Sequence, residues 1–240
     1  MIIFLKDAFF INIMKILILG ALDEEIEFLL RDLTDKTETN WNGNKIFEGS
    51  LYGKDVILAK SGVGKVNSAM ITQHLIDSYH FNYLLFTGVA GSLGKDIHVG
   101  DVIVAEKLFQ HDMDVRSLGY KLGQVPGLKQ LFFECDKRLL KIAENVKISG
   151  YKVKKGIIAT GDQFVDHNHN IKKDNSYNAN CVEMEGASVA QVSMLNNIPF
   201  LVIRIISDNA DDTSSGDFRS NLPLFAKNSQ EIIKQVLRGI

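Results

Sequence analysis

Three carboxylates and a guanidinium stand out in this sequence because they interrupt apolar runs. Glu183 and Glu185 lie in Val182-Glu183-Met184-Glu185-Gly186-Ala187, and Arg204 breaks Phe200-Leu201-Val202-Ile203 from Ile205-Ile206, just ahead of Ser207-Asp208. The Phe200–Ile206 run reads as a strand buried on both faces. A charge in such surroundings needs an opposite charge or a ligand. The chemistry open to these groups is proton transfer. Glu183 and Glu185 precede a helical pattern of Ala187, Val189, Ala190, Val192 and Leu195, so both should sit at a helix N-terminus, where the dipole favours the ionised form. An ionised carboxylate there can accept hydrogen bonds from hydroxyls such as those of a ribose. Asp208 follows a buried strand, where partial desolvation raises a carboxyl pKa and suits it to donate a proton. Glu25 lies on a first predicted helix, and spacing alone leaves open whether it faces the same pocket. Helix caps and structural ion pairs are the competing reading of all these groups.

Other chemistries fit less well. Ser61-Gly62-Val63-Gly64-Lys65 resembles the end of a phosphate-binding P-loop, but Ala59 and Val66 stand where that motif needs Gly and Ser or Thr. A dinucleotide fingerprint fails at Asn67, the third glycine position. These glycines let backbone approach either a ligand or a neighbouring strand, and spacing does not choose. His111-Asp112-Met113-Asp114 and His167-Asn168-His169 lack helical spacing and a companion cluster, so they read as surface loops and not as metal ligands. No Gly-x-Ser-x-Gly elbow is present, and neither Cys135 nor Cys181 has a base nearby in sequence, which argues against covalent catalysis.

The elements that must position the carboxylates alternate between strand and helix. Ile16–Leu19 ends at Gly20 and is followed by an acidic first turn, Asp23-Glu24-Glu25. Val56–Ala59 leads through Ser61–Gly64 into a helix over about Val66–Ser78; Tyr83–Phe86 leads into Thr87-Gly88-Val89-Ala90-Gly91; Phe200–Ile206 leads into Ser207-Asp208. Trp41–Phe47 and Lys45–Tyr52 read as a hairpin turning at Asn42-Gly43. This grammar implies a three-layer α/β/α sandwich around a mixed, largely parallel sheet. Ligands of such sheets sit beyond the carboxyl ends of the strands, so Gly20-Ala21, Ser61-Gly62, Gly88–Gly91 and Ser207-Asp208 should converge on one pocket. Phe109–Gly127 reads as a functional or interface loop. Pro223 reads as a first-turn proline of a last helix, Leu222–Leu237.

At 240 residues and 45% hydrophobic, the chain can bury the core of one large domain. A net charge of −2, with basic residues scattered, provides no footprint for nucleic acid or an anionic membrane, which points to a small-molecule partner. Two distant cysteines fit a reducing, cytoplasmic setting without disulfides. Residues 1–13 are apolar but broken by Lys6-Asp7 and too short to span a bilayer; they read as an upstream extension, with 14–240 as the domain.

Taken together, Val182–Ala187, Arg204-x-x-Ser207-Asp208-Asn209-Ala210-Asp211, Ser61–Val66, Thr87-Gly88-Val89-Ala90-Gly91-Ser92 and Gly161-Asp162-Gln163-Phe164 resemble the bacterial 5'-methylthioadenosine/S-adenosylhomocysteine nucleosidases of the nucleoside phosphorylase superfamily. The resemblance runs in register from Met14 to the C-terminus. It implies hydrolysis of the N-glycosidic bond of 5'-thio adenosine nucleosides, in methionine salvage, without metal or organic cofactor. By matching positions it implies that Asp208 protonates adenine N7, that Glu25 activates the attacking water, that Arg204 orients both Glu25 and the water, and that Glu185 holds the ribose hydroxyls. Met184 then lies against the sugar, and Phe164 stacks on adenine, with the backbone of Val165 reading its edge. Val63 and Phe218 line the alkylthio pocket. Leu118 and Pro126 reach that pocket from a second subunit of a homodimer. Ala90, Gly91, Glu183 and Ser207 complete the substrate-binding set. Val89 stands where many members carry Ser, and Leu118 where an aromatic is common. The variant motifs are similar to a subgroup that also acts on 6-amino-6-deoxyfutalosine. Two competing functions are a phosphorolytic transferase, disfavoured by the acidic Asp23-Glu24-Glu25, and a non-catalytic nucleoside-binding module, disfavoured by the paired acid and base.

Overall fold

The computed structural model describes residues 14–166, 169, 171, 175–211 and 214–240. Residues 1–13, expected to be an upstream extension, lie outside the described residues, as do His167 and Asn168. Strand β1 (Lys15–Gly20) is buried from Ile16 to Leu19 because it lies between two parallel neighbours, β4 (Lys54–Lys60) and β5 (Tyr83–Ser92). Helix α1 (Asp23–Asp32) and the strands β2 (Thr34–Trp41) and β3 (Asn44–Leu51) intervene. The β2–β3 hairpin turns at Asn42-Gly43, both with positive φ (49° and 81°), the handedness that matches the twist of the strands. A similar pair, Tyr52-Gly53, returns β3 to β4.

Helix α2 (Lys65–Ser78) precedes β5, and β6 (Val102–Gln110), β7 (Phe133–Glu134), α3 (Lys137–Ala143), β8 (Val153–Thr160) and β9 (Cys181–Glu183) follow it. The chain closes with α4 (Gly186–Leu195), β10 (Phe200–Asp208) and α5 (Ser214–Gly239). The sheet runs β10-β6-β8-β9-β5-β1-β4-β3-β2, and β10 also pairs with β5. Strands β10, β6, β8, β9 and β5 therefore close on themselves, while β1, β4, β3 and β2 extend from β5 as an open sheet. Helix α2 packs on α4, and α1 and α3 pack on α5, giving the two helical layers. Antiparallel pairing is not confined to the hairpin: β10–β6, β5–β9 and β6–β7 are antiparallel as well.

Three expectations change. Strand β5 continues through Thr87–Gly91, because Gly88, Val89, Ala90 and Gly91 pair with β10. Phe109 and Gln110 end β6 and do not open a loop. The last helix starts at Ser214, so Pro223 lies inside it and not in its first turn.

Strand β10 is buried along its whole length, Arg204 included. Its guanidinium lies 4.1 Å over the Phe86 ring and donates to Glu183 Oε2 from Nη2 (2.6 Å) and Nε (3.2 Å). Burial disfavours this cation, but Glu183, Glu25 and Glu185 more than offset that cost and hold its pKa above the usual range. Glu183 in turn accepts from Gly186 N–H (2.7 Å), Glu185 N–H (3.2 Å) and the Thr160 hydroxyl. Every element that meets at the β9–α4 corner is thus tied to β10 through one carboxylate. Replacing Glu183 by Gln removes the one counter-charge in direct contact with a buried guanidinium among the described residues. That should cost about 3–5 kcal/mol of stability in chemical denaturation, and Glu183→Gln combined with Arg204→Met should recover part of it.

Candidate active site

The carboxyl ends of β1, β5 and β10, the loop after β4 and the β9–α4 corner surround a cavity of about 260 Å³. Its lining includes Glu25, Val63, Ala90, Gly91, Phe164, Val165, Glu183, Met184, Glu185, Ser207, Asp208 and Phe218, so the separated sequence segments do meet. Arg204 lies behind this wall. Leu118 and Pro126 are exposed and belong to no part of the lining. Ala21 and Val89 line the cavity as the strand-end segments implied, and Leu22, Gln163 and Val182 line it without having been given a role by sequence.

Glu25 is the third residue of α1, and its carboxylate turns back over the helix start. Oε2 accepts from Ala21 N–H (2.6 Å) and Leu22 N–H (3.0 Å), and Oε1 from Val89 N–H (3.0 Å) across on β5. Burial is the largest influence and raises its pKa; Arg204 and the three backbone donors pull the other way. Arg204 acts on Glu25 through space, since its own ion pair goes to Glu183. The fit is close: a Cβ added at Gly88 would come 2.7 Å from Glu25 Oε1 and 3.2 Å from Arg204 Nη1. At Gly88 the requirement is space, because its φ is ordinary.

Glu185 occupies the N-cap position of α4 yet makes no side-chain cap. Glu183 caps Gly186 instead, and Thr160 Oγ1 accepts from Ala187 N–H (2.8 Å). Glu185 is therefore turned into the cavity, where Oε1 accepts from Gly64 N–H (2.9 Å). The helix dipole does not decide its ionisation, as the sequence reading had it. Burial first and the neighbouring Glu183 second push its pKa up to about 8. Glu183, expected as a substrate-binding group, lines the cavity and already accepts from Arg204, Thr160 and the helix start.

Asp208 ends β10 opposite Gly91 and is buried. Ser207 Oγ donates to its Oδ2 (2.7 Å) and Ala210 N–H to its Oδ1 (2.8 Å), which fixes the plane of the carboxyl group. Phe164 and Phe218 meet edge to face, with centroids 5.9 Å apart, and Phe164 is 45% exposed. The cavity thus has a carboxyl group on β10 at one side, two carboxyl groups on α1 and α4, and apolar walls between.

The remaining chemistry-bearing residues behave differently from one another. Gly62 and Gly64 have φ of 74° and 89°, and the backbone they free approaches protein carboxylates, Glu185 and Asp162. Asp112 is not a solvated loop residue, because it pairs with Lys65 at 2.7 Å. His169 pairs with Asp166. Among the described residues no group of His, Cys, Asp or Glu is arranged to hold a metal ion. Burial pushes the Cys135 thiol up to about 12 and raises Cys181 too, so neither is a ready nucleophile.

Comparison with known proteins gives this geometry a context. Residues 15–238 match the family model described as "Phosphorylase superfamily". The 5'-methylthioadenosine/S-adenosylhomocysteine nucleosidase of Haemophilus influenzae (strain PittEE) is 38% identical over 227 residues, covering 93% of this chain and 99% of that protein. Among solved structures, the 5'-methylthioadenosine/S-adenosylhomocysteine nucleosidase of Neisseria meningitidis in complex with methylthio-immucillin-A superposes with a TM-score of 0.90 at 33% identity, covering 94% of this chain and 99% of that one. A futalosine hydrolase of Helicobacter pylori superposes with a TM-score of 0.88 at 36% identity, covering 95% and 99%. Near-complete coverage in both directions, together with the shared fold, leads to one conclusion: the chain belongs to the 5'-methylthioadenosine/S-adenosylhomocysteine nucleosidases of the phosphorylase superfamily.

Proposed function

We propose that this chain hydrolyses the N-glycosidic bond of 5'-methylthioadenosine and S-adenosylhomocysteine, releasing adenine and the 5-thio-ribose, with residues 14–240 acting as one nucleosidase domain. The observation that carries this reading is the position of Glu25. The Ala21 and Leu22 N–H groups at the start of α1 are the kind of donors that bind a phosphate, and here they hold a carboxylate of the chain itself. A base stands where a phosphorolytic enzyme would need an anion site, so water is the better-suited nucleophile.

Cleavage builds positive charge on the ribose and negative charge on the base. In this reading Asp208, oriented by Ser207 and Ala210, protonates adenine N7. Glu25 takes the proton of the attacking water, and burial makes it a stronger base than an exposed carboxylate. Glu185, which keeps its proton up to about 8, holds the ribose hydroxyls by hydrogen bonds, and the charge of Glu25 stabilises the oxocarbenium-like sugar. Arg204 acts at one remove, holding Glu183 at the helix start and lending positive potential to Glu25. Phe164 covers the base, Val165 reads its edge, Met184 packs on the sugar, and Val63 and Phe218 form the mouth for the 5' substituent. The similarity to a futalosine hydrolase favours a second substrate class for the same site, a 5'-extended futalosine-type nucleoside.

We further propose a homodimer in a cytoplasmic setting. Val66 and Met70 lie one turn apart on α2 and are 77% and 44% exposed; Leu118 is 71% exposed although apolar. A partner covering this face brings Leu118 and Pro126 toward the open side of its neighbour's cavity, beside the exposed Phe164.

Purified protein should release adenine from 5'-methylthioadenosine in phosphate-free buffer, and added phosphate should not change the rate. Asp208→Asn should bind substrate with near-normal affinity and lose about a hundredfold to ten-thousandfold in kcat; near-normal turnover would remove Asp208 from the acid role. Glu185 supplies a pH test. In the folded protein it holds its proton up to about 8, whereas in the unfolded chain it ionises in the ordinary carboxylate range. Its contribution to stability is thus full below that range and lost as pH rises through about 8. Thermal denaturation should show Glu185→Gln gaining stability relative to wild type between about pH 5 and about pH 9, by on the order of a few kcal/mol. Sedimentation should give a dimer, and Val66→Asp with Met70→Asp should give a monomer with a raised KM.

A further inference from the structure

A closed ring of hydrogen bonds lies just outside the cavity. Lys65 Nζ donates to Asp112 Oδ1 (2.7 Å), Asp162 N–H donates to Asp112 Oδ2 (2.9 Å), and Lys65 N–H donates to Asp162 Oδ1 (2.8 Å). The Asp112 carboxylate bridges Lys65 and the Asp162 backbone through its two oxygens, and Asp162 Oδ1 closes the ring on Lys65 N–H, so each segment is held at two points. The Lys65 and Asp112 side chains are only 18% and 19% exposed, which shields their attraction from the solvent screening that weakens surface pairs.

The three segments joined in this way have different relations to the cavity. Lys65 follows Gly64, whose N–H holds Glu185 Oε1. Asp162 precedes Gln163, Phe164 and Val165, which line the cavity. Asp112 starts the stretch that runs on to Leu118 and is otherwise outside the site. We propose that Lys65, Asp112 and Asp162 form a positioning device that sets the wall made by Phe164 and Val165 at a fixed distance from the Glu185 carboxylate. The inference rests on reading the cavity as a nucleoside site, in which that distance is the span from base to ribose. None of the three touches the reacting atoms. Their effect is on how well base and sugar are gripped together, not on the proton transfers.

The packing agrees with a fixed geometry. A Cβ at Gly64 would come 3.1 Å from Asp162 Oδ1, so the two loops are already in close contact, and Gly64 has the φ of 89° that lets its N–H face Glu185. Gly161 N–H donates to Glu183 O (3.0 Å) and Gln163 N–H to Gly161 O (2.8 Å). The base of the Phe164 loop is therefore fixed to the β9–α4 corner, and the ring sets the direction in which its tip projects.

Asp112→Asn tests this, because Lys65 and Asp162 donate to different oxygens of Asp112 and the amide puts an NH2 group, which cannot accept, in place of one of them. For 5'-methylthioadenosine we expect KM to rise about tenfold with kcat within about twofold of wild type, and adenine affinity to fall by a similar factor. Lys65→Met should match it, the double variant should be no worse than either single one, and Lys65→Arg should restore most of the affinity. A variant that melts earlier but keeps wild-type KM and adenine affinity would overturn the proposal, since the ring would then serve stability alone. A wild-type protein that releases no adenine from 5'-methylthioadenosine would instead overturn the nucleoside reading on which the proposal rests.

Discussion

The buried pair between Arg204 and Glu183 is the constraint from which the rest of the site follows. An ion pair in a dry interior does not by itself stabilise a fold, since taking both charges out of water costs about as much as their attraction returns. Here the pair has a second consequence. Glu183 uses its remaining lone pairs on the first N–H groups of α4 and on the Thr160 hydroxyl, so the helix start is satisfied without help from the residue at the N-cap position. Glu185, which would otherwise be the cap, is left with Oε2 accepting no hydrogen bond among the described residues. One carboxylate is committed so that its neighbour two residues later is not.

The same economy recurs at Glu25. Its carboxylate closes the start of α1 and ties that helix to β5, yet it remains on the wall of the cavity. The local structure and the chemistry demand opposite things of such a group. Backbone donors favour the charged form and burial disfavours it, and burial prevails. A carboxylate with a raised pKa that is held by three N–H groups is both stronger as a base and fixed in direction. Arg204 reaches Glu25 only through space, which moderates the shift without a direct ion pair to its carboxylate.

Much of this was legible in the sequence, and the gaps have physical reasons. The Phe200–Ile206 run announced a strand buried on both faces, and β10 is one. Asn42-Gly43 announced its hairpin through residues that tolerate positive φ. Strands β6 and β8 were harder to see because Glu106-Lys107 and Lys154-Lys155 interrupt their apolar runs, and β9 is only three residues long. The partner of Arg204 could not be read from spacing, because the choice of carboxylate depends on how β9 is placed between β5 and β8. Glu185 shows the limit of local reasoning most clearly, since a helix start predicts an ionised group and the surrounding burial, together with Glu183, overrides it. Thr160 carries no motif of its own, and Asp112 lies in a stretch that reads as a surface loop. They become visible only once the ends of β6 and β8 are side by side.

The central claim is that water, activated at Glu25, is the nucleophile. The most direct test is turnover of 5'-methylthioadenosine in oxygen-18 water with phosphate present, followed by mass analysis of the sugar. The account predicts free methylthioribose carrying one heavy oxygen, with no sugar phosphate. A sugar 1-phosphate as the product would contradict it.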